Sequence, residues 1–265
     1  MVIGVIPARF ASTRFPGKLL ADLNGKPVLQ WTWEAALKAK LLDRVVIAAA
    51  DGKIFNAAKR FGGEVVKVFE ELPSGSDRVW RAYCRLQIAD CRLRSESTIN
   101  NQQSTIIVNI QGDEPMLDPK TVDAVVRRLQ NDPEAGVATA VALIRSKRDY
   151  EDPSVVKVVM TAGCRVLYFS RSPIPHGWTP KSRIQNPKSP TAFRHIGIYA
   201  YRCEALERFV NLPPSSLEVA EKLEQLRLLQ AGTIYTAAVV KSAGVAVDTE
   251  EDLGRVRQII RGLPA

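Results

Sequence analysis

The sequence has few cysteines and pairs none of them in a recognisable motif. Cys84, Cys91, Cys164 and Cys203 are the only cysteines among 265 residues, and their spacing contains neither a CxxC pair nor a zinc-finger pattern. Disulfide frameworks and structural metal sites depend on such spacings. We therefore interpret all four as reduced thiols without a chemical role.

Long hydrophobic runs are absent as well. The first seven residues, MVIGVIP, are apolar, but they lack the basic lead and the small-residue cleavage site of a signal peptide. No later apolar run approaches the roughly 20 residues that a membrane-spanning helix needs. These absences predict a cytoplasmic protein with no membrane insertion.

Blocks of basic residues are also missing, although the formal net charge is +9. The lysines and arginines are scattered, and the sequence contains no recognised nucleic-acid-binding module. We therefore expect no nucleic-acid partner and attribute most of the charge to a solvated surface. A non-catalytic nucleotide- or RNA-binding protein is the alternative from another functional class.

The sequence does contain an alternation of strand-like and helix-like segments. Short β-branched runs at residues 2–6, 44–50 and 105–110 are typical of buried parallel strands, and residues 28–40 and 53–61 between them have helical spacing. The composition, 46% hydrophobic and 25% charged, is that of a globular protein. The pattern predicts an α/β fold with a single doubly wound, mostly parallel sheet.

Three stretches depart from this alternation. Residues 89–105 are polar and aperiodic, and we interpret them as a surface excursion, part of which could extend the preceding helix. Residues 173–193 contain five prolines and predict a loop within a protruding strand and loop region of the second half. Residues 217–230 predict one amphipathic helix, with its leucines on the buried face. We expect a single domain over residues 1–265.

The first predicted strand runs into a loop rich in phosphate-binding side chains. Residues 7–18, PARFASTRFPGK, combine two arginines, a lysine, two hydroxyl groups and a glycine. Backbone amides and hydroxyls can surround phosphate oxygens while Arg and Lys neutralise their charge. The loop matches neither GxxxxGK[ST] nor GxGxxG. It predicts a polyphosphate site of another kind, unless the loop merely faces solvent.

Two aspartates follow short apolar runs. Asp113 lies in NIQGDEP, after the strand predicted at 105–110, and Asp248 lies in VAVDTEEDL. Ligands of doubly wound sheets bind at the carboxyl ends of the strands, and Mg²⁺ is usually held by one or two carboxylates. The two aspartates are therefore candidate magnesium ligands. The alternative for Asp248 is to cap the last helix, with Thr249 as the competing cap.

A third polar segment, LPSGSDR at residues 72–78, combines turn residues with the start of a predicted helix. Ser74 or Ser76 could cap that helix. Contact with a ligand is compatible with capping.

These segments together resemble the 3-deoxy-manno-octulosonate cytidylyltransferase family. The resemblance is carried by GVIPARFASTRFPGKLL, LNGKPVLQ, SGSDR, NIQGDEP and VDTEEDL, and it extends from Val5 to about Arg257. It implies a nucleotide-diphospho-sugar transferase-like fold, a Mg²⁺ cofactor and a homodimer. It also implies transfer of CMP from CTP to the anomeric hydroxyl of 3-deoxy-D-manno-octulosonate (KDO), giving CMP-KDO and pyrophosphate for lipopolysaccharide biosynthesis. A cytidylyltransferase for a related acidic sugar, 8-amino-KDO or sialic acid, is the alternative.

The resemblance also implies residue roles. The expected catalytic residues are Arg9, Lys18, Asp113 and Asp248, and the last two are the expected metal ligands. The residues expected to bind the nucleotide are Pro7, Ala8, Arg9, Arg14, Lys18, Ser74, Gly75, Ser76 and Gln111. Those expected to bind the sugar are Arg171, His195, Tyr199, Glu224 and Gln225.

Within the sugar group, Arg171 suits a bidentate pair with the sugar carboxylate, and His195 and Tyr199 suit donation to its hydroxyls. Glu224 and Gln225 are expected off the buried stripe of the predicted 217–230 helix. Three departures from the family pattern are Ser76 in place of threonine, Glu250 in place of proline, and Ala50 in place of threonine.

Overall fold

The computed structural model describes residues 1–93, 105–179, 191–241 and 244–262, with the side chains of 89–93 outside the description. The chain divides into two compact units, residues 1–123 with 244–265, and residues 124–243. The single domain expected from the sequence stays a prediction.

The elements follow one another in the order expected of an α/β protein. The strands are β1 (Val2–Ala8), β2 (Asp22–Leu23), β3 (Lys26–Pro27), β4 (Arg44–Ala49), β5 (Val65–Lys67), β6 (Ile106–Asn109), β7 (Val137–Leu143), β8 (Lys157–Met160), β9 (Val166–Ser170), β10 (Phe193–Arg202) and β11 (Tyr235–Val240). The helices are α1 (Val28–Ala36), α2 (Gly52–Arg60), α3 (Gly75–Leu93), α4 (Pro119–Gln130), α5 (Lys147–Glu151), α6 (Cys203–Asn211), α7 (Ser216–Glu221), α8 (Leu226–Gln230) and α9 (Glu250–Gly262).

The sheet of the first unit is parallel. Its strand order is β5-β4-β1-β6, with β1 hydrogen-bonded to both β4 and β6. In β1, Ile3 and Val5 point to one face of the sheet and Ile6 points to the other, yet all three are fully buried. A strand buried on both faces must be apolar throughout, which is why these segments read as continuous hydrophobic runs. The predicted α/β fold is confirmed. The three strands predicted at residues 2–6, 44–50 and 105–110 are confirmed as well, and they are β1, β4 and β6.

The helices of this unit begin and end at identifiable signals. Asp51 caps α2, because its Oδ1 accepts a hydrogen bond from the Ile54 amide at 3.0 Å. Gly62, with φ +78°, takes the left-handed conformation that ends a helix. The α3 helix continues to Leu93, so part of the predicted excursion at 89–105 does extend the preceding helix. The rest of that stretch, 94–104, lies outside the described residues.

The strands of the second unit pair in both directions. β7 is parallel to β11 and antiparallel to β10, and β10 and β9 are each antiparallel to β8. The β10 strand carries an irregularity, since Ile196 pairs with Ala140 and the next paired residue is Tyr199, opposite Thr139. Of the proline-rich loop expected at 173–193, residues 180–190 lie outside the described residues.

The prediction of one helix over residues 217–230 is wrong, because the structure has two shorter helices there, α7 and α8. α7 starts at a capping box of Ser215 and Glu218, and the chain leaves the helix at Lys222, which is left-handed with φ 54°. Glu218 and Arg227 then form a bidentate ion pair, with N–O distances of 2.6 and 2.8 Å. In a continuous helix, residues nine apart lie on opposite faces. The pair therefore requires the chain to turn between α7 and α8.

No helix in the described parts of either unit combines the length and the apolar character needed to cross a bilayer.

Candidate active site

A cavity of about 340 Å³ opens in the first unit, at the carboxyl ends of β1 and β6. Its walls come from the loop after β1, the start of α3 and the loop after β6. Eight of the nine residues expected to bind the nucleotide line it: Pro7, Ala8, Arg9, Arg14, Lys18, Ser74, Gly75 and Gln111. The ninth, Ser76, does not. The structure thus gathers three separate sequence segments around one space.

Two glycines allow the segments around the cavity to lie close to one another. A Cβ on Gly112 would lie 3.3 Å from Ile6 Cγ2 and 3.4 Å from the Pro7 carbonyl oxygen, so the loop after β6 lies close against the end of β1. Gly17 has φ +75°, and its amide donates to the Phe10 carbonyl at 3.0 Å. Only glycine adopts that conformation without strain. Gly17 therefore closes the loop that carries Arg14 and Lys18.

The side chain of Asp51 hydrogen-bonds the same loop. Its Oδ2 accepts a hydrogen bond from the Phe10 amide at 2.7 Å, while its Oδ1 caps α2. The Lys53 ammonium lies 3.9 Å from the centre of the Phe10 ring, a favourable cation–π contact. Ala50, which stands where the family pattern has threonine, is followed by Asp51 as in that pattern. The contacts of Asp51 give it a structural role.

The two serines of the SGS segment have different positions. Ser74 accepts from the Asp77 amide at 3.2 Å and donates to Asp77 Oδ2 at 2.6 Å, which confirms it as the cap of α3. Ser74 also lines the cavity. Ser76 is fully buried, with Asn109 Nδ2 at 3.4 Å from its hydroxyl. Its side chain lies behind the cavity wall, and its contact with a nucleotide stays a prediction.

Lys18 joins the two candidate metal ligands. Its Nζ lies 2.5 Å from Asp113 Oδ2 and 2.8 Å from Asp248 Oδ1, and Arg14 Nη2 lies 3.1 Å from the same oxygen of Asp248. Burial opposes the charge of Lys18, but Asp113 and then Asp248 outweigh it and raise the pKa of its ammonium group. Three of the four expected catalytic residues are therefore in direct contact.

The segment before Asp248 corrects one expectation. Residues 245–247 do not form a strand. The Val247 amide donates to the Asp113 carbonyl at 2.8 Å, and Val245 and Val247 pack in an apolar cluster with Leu23 and Val28. The cap of α9 is Thr249, whose hydroxyl accepts from the Asp252 amide at 3.1 Å. The capping alternative for Asp248 is wrong, and its carboxylate faces Lys18 instead.

The two carboxylates fit a small divalent cation. Both contact one nitrogen, so their oxygens converge on a single point, as ligands of one ion must. Within the described residues there is no cluster of three or more His, Cys, Asp or Glu side chains that would form an all-protein cage. Mg²⁺ is usually held by one or two carboxylates, with water and phosphate oxygens completing the octahedron. Asp113 and Asp248 meet that requirement.

Sequence reasoning missed Arg78, which lines the cavity and is 7% exposed. Its Nη1 donates to the Val68 carbonyl. Burial, and then the nearby Arg9, lower the pKa of Arg78, yet a guanidinium stays charged in proteins. Its place in the quoted SGSDR segment was the available signal. Arg78 adds a third arginine to a cavity that already holds Arg9 and Arg14.

The residues expected to bind the sugar lie in the second unit, and Arg171 is already engaged there. Its Nε donates to the Glu221 carbonyl at 2.9 Å, and its Nη1 and Nη2 donate to the carbonyls of Pro153 and Lys222 at 3.0 and 3.3 Å. Three of the five N–H donors of a guanidinium are thus used. A bidentate pair with a carboxylate would need these bonds to rearrange.

The other four residues lie on β10 and in the turn between α7 and α8. The rings of His195 and Tyr199 are 5.2 Å apart, and Tyr199 is almost fully buried. Burial, and after it Tyr201 and Glu224, raise the pKa of Tyr199, which places Glu224 near that hydroxyl. Gln225, expected off the buried stripe, is 3% exposed. That expectation is wrong because the helix breaks at Lys222.

The chain matches the family model described as Cytidylyltransferase over residues 3–241. It is 43% identical to a 3-deoxy-manno-octulosonate cytidylyltransferase of Parvibaculum lavamentivorans over 257 residues, which cover 96% of this chain and 90% of the relative. It is 40% identical to the enzyme of that name from Syntrophotalea carbinolica, over 99% of both chains. A solved structure of CMP:2-keto-3-deoxy-manno-octonic acid synthetase complexed with CTP aligns with a TM-score of 0.82 and 36% identity, over 98% of each chain.

Proposed function

The chain belongs to the 3-deoxy-manno-octulosonate cytidylyltransferase family, and from that premise we propose that it transfers CMP from CTP to KDO. The products are CMP-KDO and pyrophosphate. The observation in the molecule that carries this proposal is the cavity where Arg9, Arg14, Lys18 and Arg78 meet at the carboxyl ends of two parallel strands.

The charge balance of this cavity suits a triphosphate. Arg9 and Arg14 are exposed at its mouth, while Lys18 and Arg78 lie deeper. Phosphate groups bind strongly to arginine and lysine through charge-assisted hydrogen bonds. Ser12 and Thr13 line the same cavity and bring hydroxyl donors to it. We assign the triphosphate of CTP to this cavity.

At phosphorus the reaction makes one bond and breaks one. The anomeric hydroxyl of KDO gives up its proton to solvent, its oxygen bonds to the α-phosphorus of CTP, the bond between that phosphorus and the α,β-bridging oxygen breaks, and pyrophosphate leaves. Phosphoryl transfer depends mainly on alignment and on neutralising charge on the phosphoryl oxygens. Lys18, Arg9 and Arg78 supply positive charge where the pyrophosphate develops. These residues hold the triphosphate while the sugar approaches.

We propose that Asp113 and Asp248 hold Mg²⁺. When bound, the ion would add positive charge beside the phosphates and lower the pKa of a coordinated hydroxyl. The two carboxylates must then exchange their contacts with Lys18 for contacts with the ion. That exchange would free the Lys18 ammonium for a phosphate oxygen.

On the sugar side, the proposal assigns His195, Tyr199, Glu224 and Gln225 to the hydroxyls of KDO. Arg171 is assigned to its carboxylate on family resemblance, subject to the rearrangement described above. The alternative sugars, 8-amino-KDO and sialic acid, are less well supported, because the relatives reported above are named for KDO itself. We further propose a homodimer working in the cytoplasm, with CMP-KDO consumed in lipopolysaccharide biosynthesis.

A pyrophosphate-release assay tests the proposal. The purified chain is incubated with each of the four nucleoside triphosphates and with KDO, 8-amino-KDO or sialic acid, with and without Mg²⁺. We expect release with CTP, KDO and Mg²⁺, and a CMP-sugar by mass spectrometry. Equal release from ATP, or release without a sugar, would reject the proposed reaction. A higher kcat/KM with sialic acid than with KDO would reject the substrate. Light scattering on the same sample measures the oligomeric state.

A further inference from the structure

Thr139 is a polar residue in an otherwise apolar strand. The sequence of β7 is VATAVAL, and Thr139, its third residue, is fully buried. A buried hydroxyl without a partner costs free energy, and valine would fill the same space without that cost. The threonine therefore needs an explanation in what its hydroxyl contacts.

The contacts of Thr139 are at the irregularity of β10. Gly197 and Ile198 fall between the paired residues Ile196 and Tyr199, so they form a bulge with no partner in the register of β7. The Thr139 Oγ1 atom lies 2.7 Å from the Ile198 carbonyl oxygen, 3.3 Å from the Ile196 carbonyl oxygen and 2.9 Å from His195 Nε2. One hydroxyl thus meets two carbonyls and one imidazole nitrogen.

The donors and acceptors at this point determine where the protons are. A carbonyl oxygen only accepts, and a hydroxyl has one proton to donate. The Thr139 proton is committed to the bulge, with the Ile198 carbonyl as its closer acceptor. Towards His195 the hydroxyl oxygen is consequently an acceptor, so Nε2 must carry a proton.

The protonation state of the second ring nitrogen, Nδ1, follows from that of Nε2. Burial lowers the pKa of His195 to about 3, so the ring is neutral at physiological pH and holds its proton on one nitrogen only. With that proton on Nε2, Nδ1 has a lone pair. Within the described parts of the second unit, no side chain or backbone group hydrogen-bonds Nδ1. The half-buried ring therefore offers an acceptor to whatever binds beside it.

We propose that Thr139 is a positioning residue that fixes His195 as the Nε2–H tautomer, so that Nδ1 accepts a hydrogen bond from a sugar hydroxyl. The inference rests on the proposed function for the identity of the sugar. It reverses the expectation that His195 donates to the substrate. An acceptor at this position selects a hydroxyl and disfavours a carboxylate oxygen.

The tautomer can be observed without any substrate. The chain has two histidines, His176 and His195, so ¹⁵N-histidine labelling gives two imidazole signal sets, and His176→Gln assigns them. We expect the long-range ¹H–¹⁵N pattern of the Nε2–H tautomer for His195 at pH 7. We expect Thr139→Ser to keep it and Thr139→Val to shift it towards a mixture. A wild-type Nδ1–H tautomer or an imidazolium would overturn the proposal, as would an unchanged pattern in Thr139→Val.

Steady-state kinetics test the consequence for the sugar. A lost hydrogen bond corresponds to roughly tenfold in binding. We expect Thr139→Val to raise the KM for KDO by about that factor, to leave the KM for CTP within twofold, and Thr139→Ser to restore the wild-type value. Equal rises in both KM values, or no rise for KDO, would overturn the role in sugar binding. Absence of CMP transfer by the wild-type protein would instead reject the proposed function, while the tautomer result would stand.

Discussion

Lys18 Nζ lies 2.5 Å from Asp113 Oδ2, and the same nitrogen lies 2.8 Å from Asp248. The two acidic side chains therefore converge on one cation that the chain itself supplies. The contact gives Lys18 two functions. It neutralises the aspartates in the resting protein, and it is expected to contact phosphate once a metal ion takes over that task.

Removing the lysine charge tests the first of these functions. In Lys18→Met the Asp113 carboxylate loses its counter-charge and Asp248 keeps only the exposed Arg14, so we expect the free energy of unfolding to fall by roughly 1–3 kcal/mol at low ionic strength. Mg²⁺ should recover most of that loss if it binds between the same oxygens, as proposed. Urea unfolding with and without Mg²⁺ measures both effects. A variant as stable as wild type in the absence of Mg²⁺ would contradict the role of Lys18 as counter-ion.

Replacing a proposed metal ligand should affect binding of the ion and turnover together. For Asp113→Asn we expect kcat at saturating CTP and KDO to fall by about 10²–10³, the range seen when one electrostatic element of a site is removed. Mn²⁺ affinity measured by electron paramagnetic resonance should fall in parallel. Asp118→Asn is the matched control, because Asp118 is exposed and does not line the cavity. Unchanged turnover in Asp113→Asn would refute the metal role.

Arg78 gives a prediction that the sequence analysis did not make. Because its guanidinium lines the cavity beside Arg9, we expect Arg78→Met to raise the KM for CTP about tenfold or more. Arg81→Met serves as the control, since that side chain is on the same helix but exposed. Isothermal titration with CTP separates binding from turnover. Equal CTP affinities for the two variants would exclude Arg78 from the nucleotide site.

The half-buried imidazole of His195 predicts a pH dependence of stability. Burial lowers its pKa from 6.5 to about 3 in the folded state, so between these values the unfolded chain binds the extra proton. The contribution is therefore complete above pH 6.5 and is lost as the pH falls towards 3, by up to about 1.4 kcal/mol per pH unit. Urea unfolding between pH 4 and 7 should show a shallower slope for His195→Gln. The exposed His176 provides the control substitution, and identical slopes for wild type and His195→Gln would disprove the assignment.

Two glycines should respond oppositely to alanine. Gly17 has φ +75°, and a Cβ there would lie 3.0 Å from the Phe10 ring, so Gly17→Ala should cost about 1–2 kcal/mol and weaken CTP binding. Gly254 lies inside α9 with no atom within 4 Å of an added Cβ. Gly254→Ala should stabilise the chain by about 0.5–1 kcal/mol. Thermal unfolding of both variants gives the comparison, and the prediction fails if their signs agree.

Local patterns in the sequence were sufficient for the parts of the fold that depend on neighbours along the chain. The apolar runs of β1, β4 and β6 predicted buried parallel strands, and the helical spacing of residues 53–61 predicted α2, because strand burial and helix formation depend on patterns within a few residues. The loop at residues 7–18 was identified as a candidate site for the same reason, and its contact with phosphate stays a prediction. Its charged and hydroxyl side chains are concentrated in twelve successive residues, 7–18.

Contacts between distant residues limited the rest. The break at Lys222 depends on the Glu218–Arg227 pair, and the leucine periodicity continued through it. Asp248 was predicted at a strand end, yet a hydrogen bond from the Val247 amide to the Asp113 carbonyl and apolar packing of Val245 and Val247 hold that segment instead of strand pairing. The hydrogen bonds of the Arg171 side chain were not predicted, because its acceptors are backbone carbonyl groups, which every residue has. A sequence does not show which of these carbonyl groups an arginine contacts.

Asp51 illustrates how a distant contact prepares the binding loop. One carboxylate accepts from the Phe10 amide and from the Ile54 amide, and it joins two segments 41 residues apart in the chain. The shape of residues 9–18 is therefore fixed when the sheet folds, before any ligand arrives. A triphosphate entering this loop does not have to order it, so the conformational entropy of the loop is not subtracted from the affinity. We expect the nucleotide to meet a preorganised loop, held by a side chain at the start of α2.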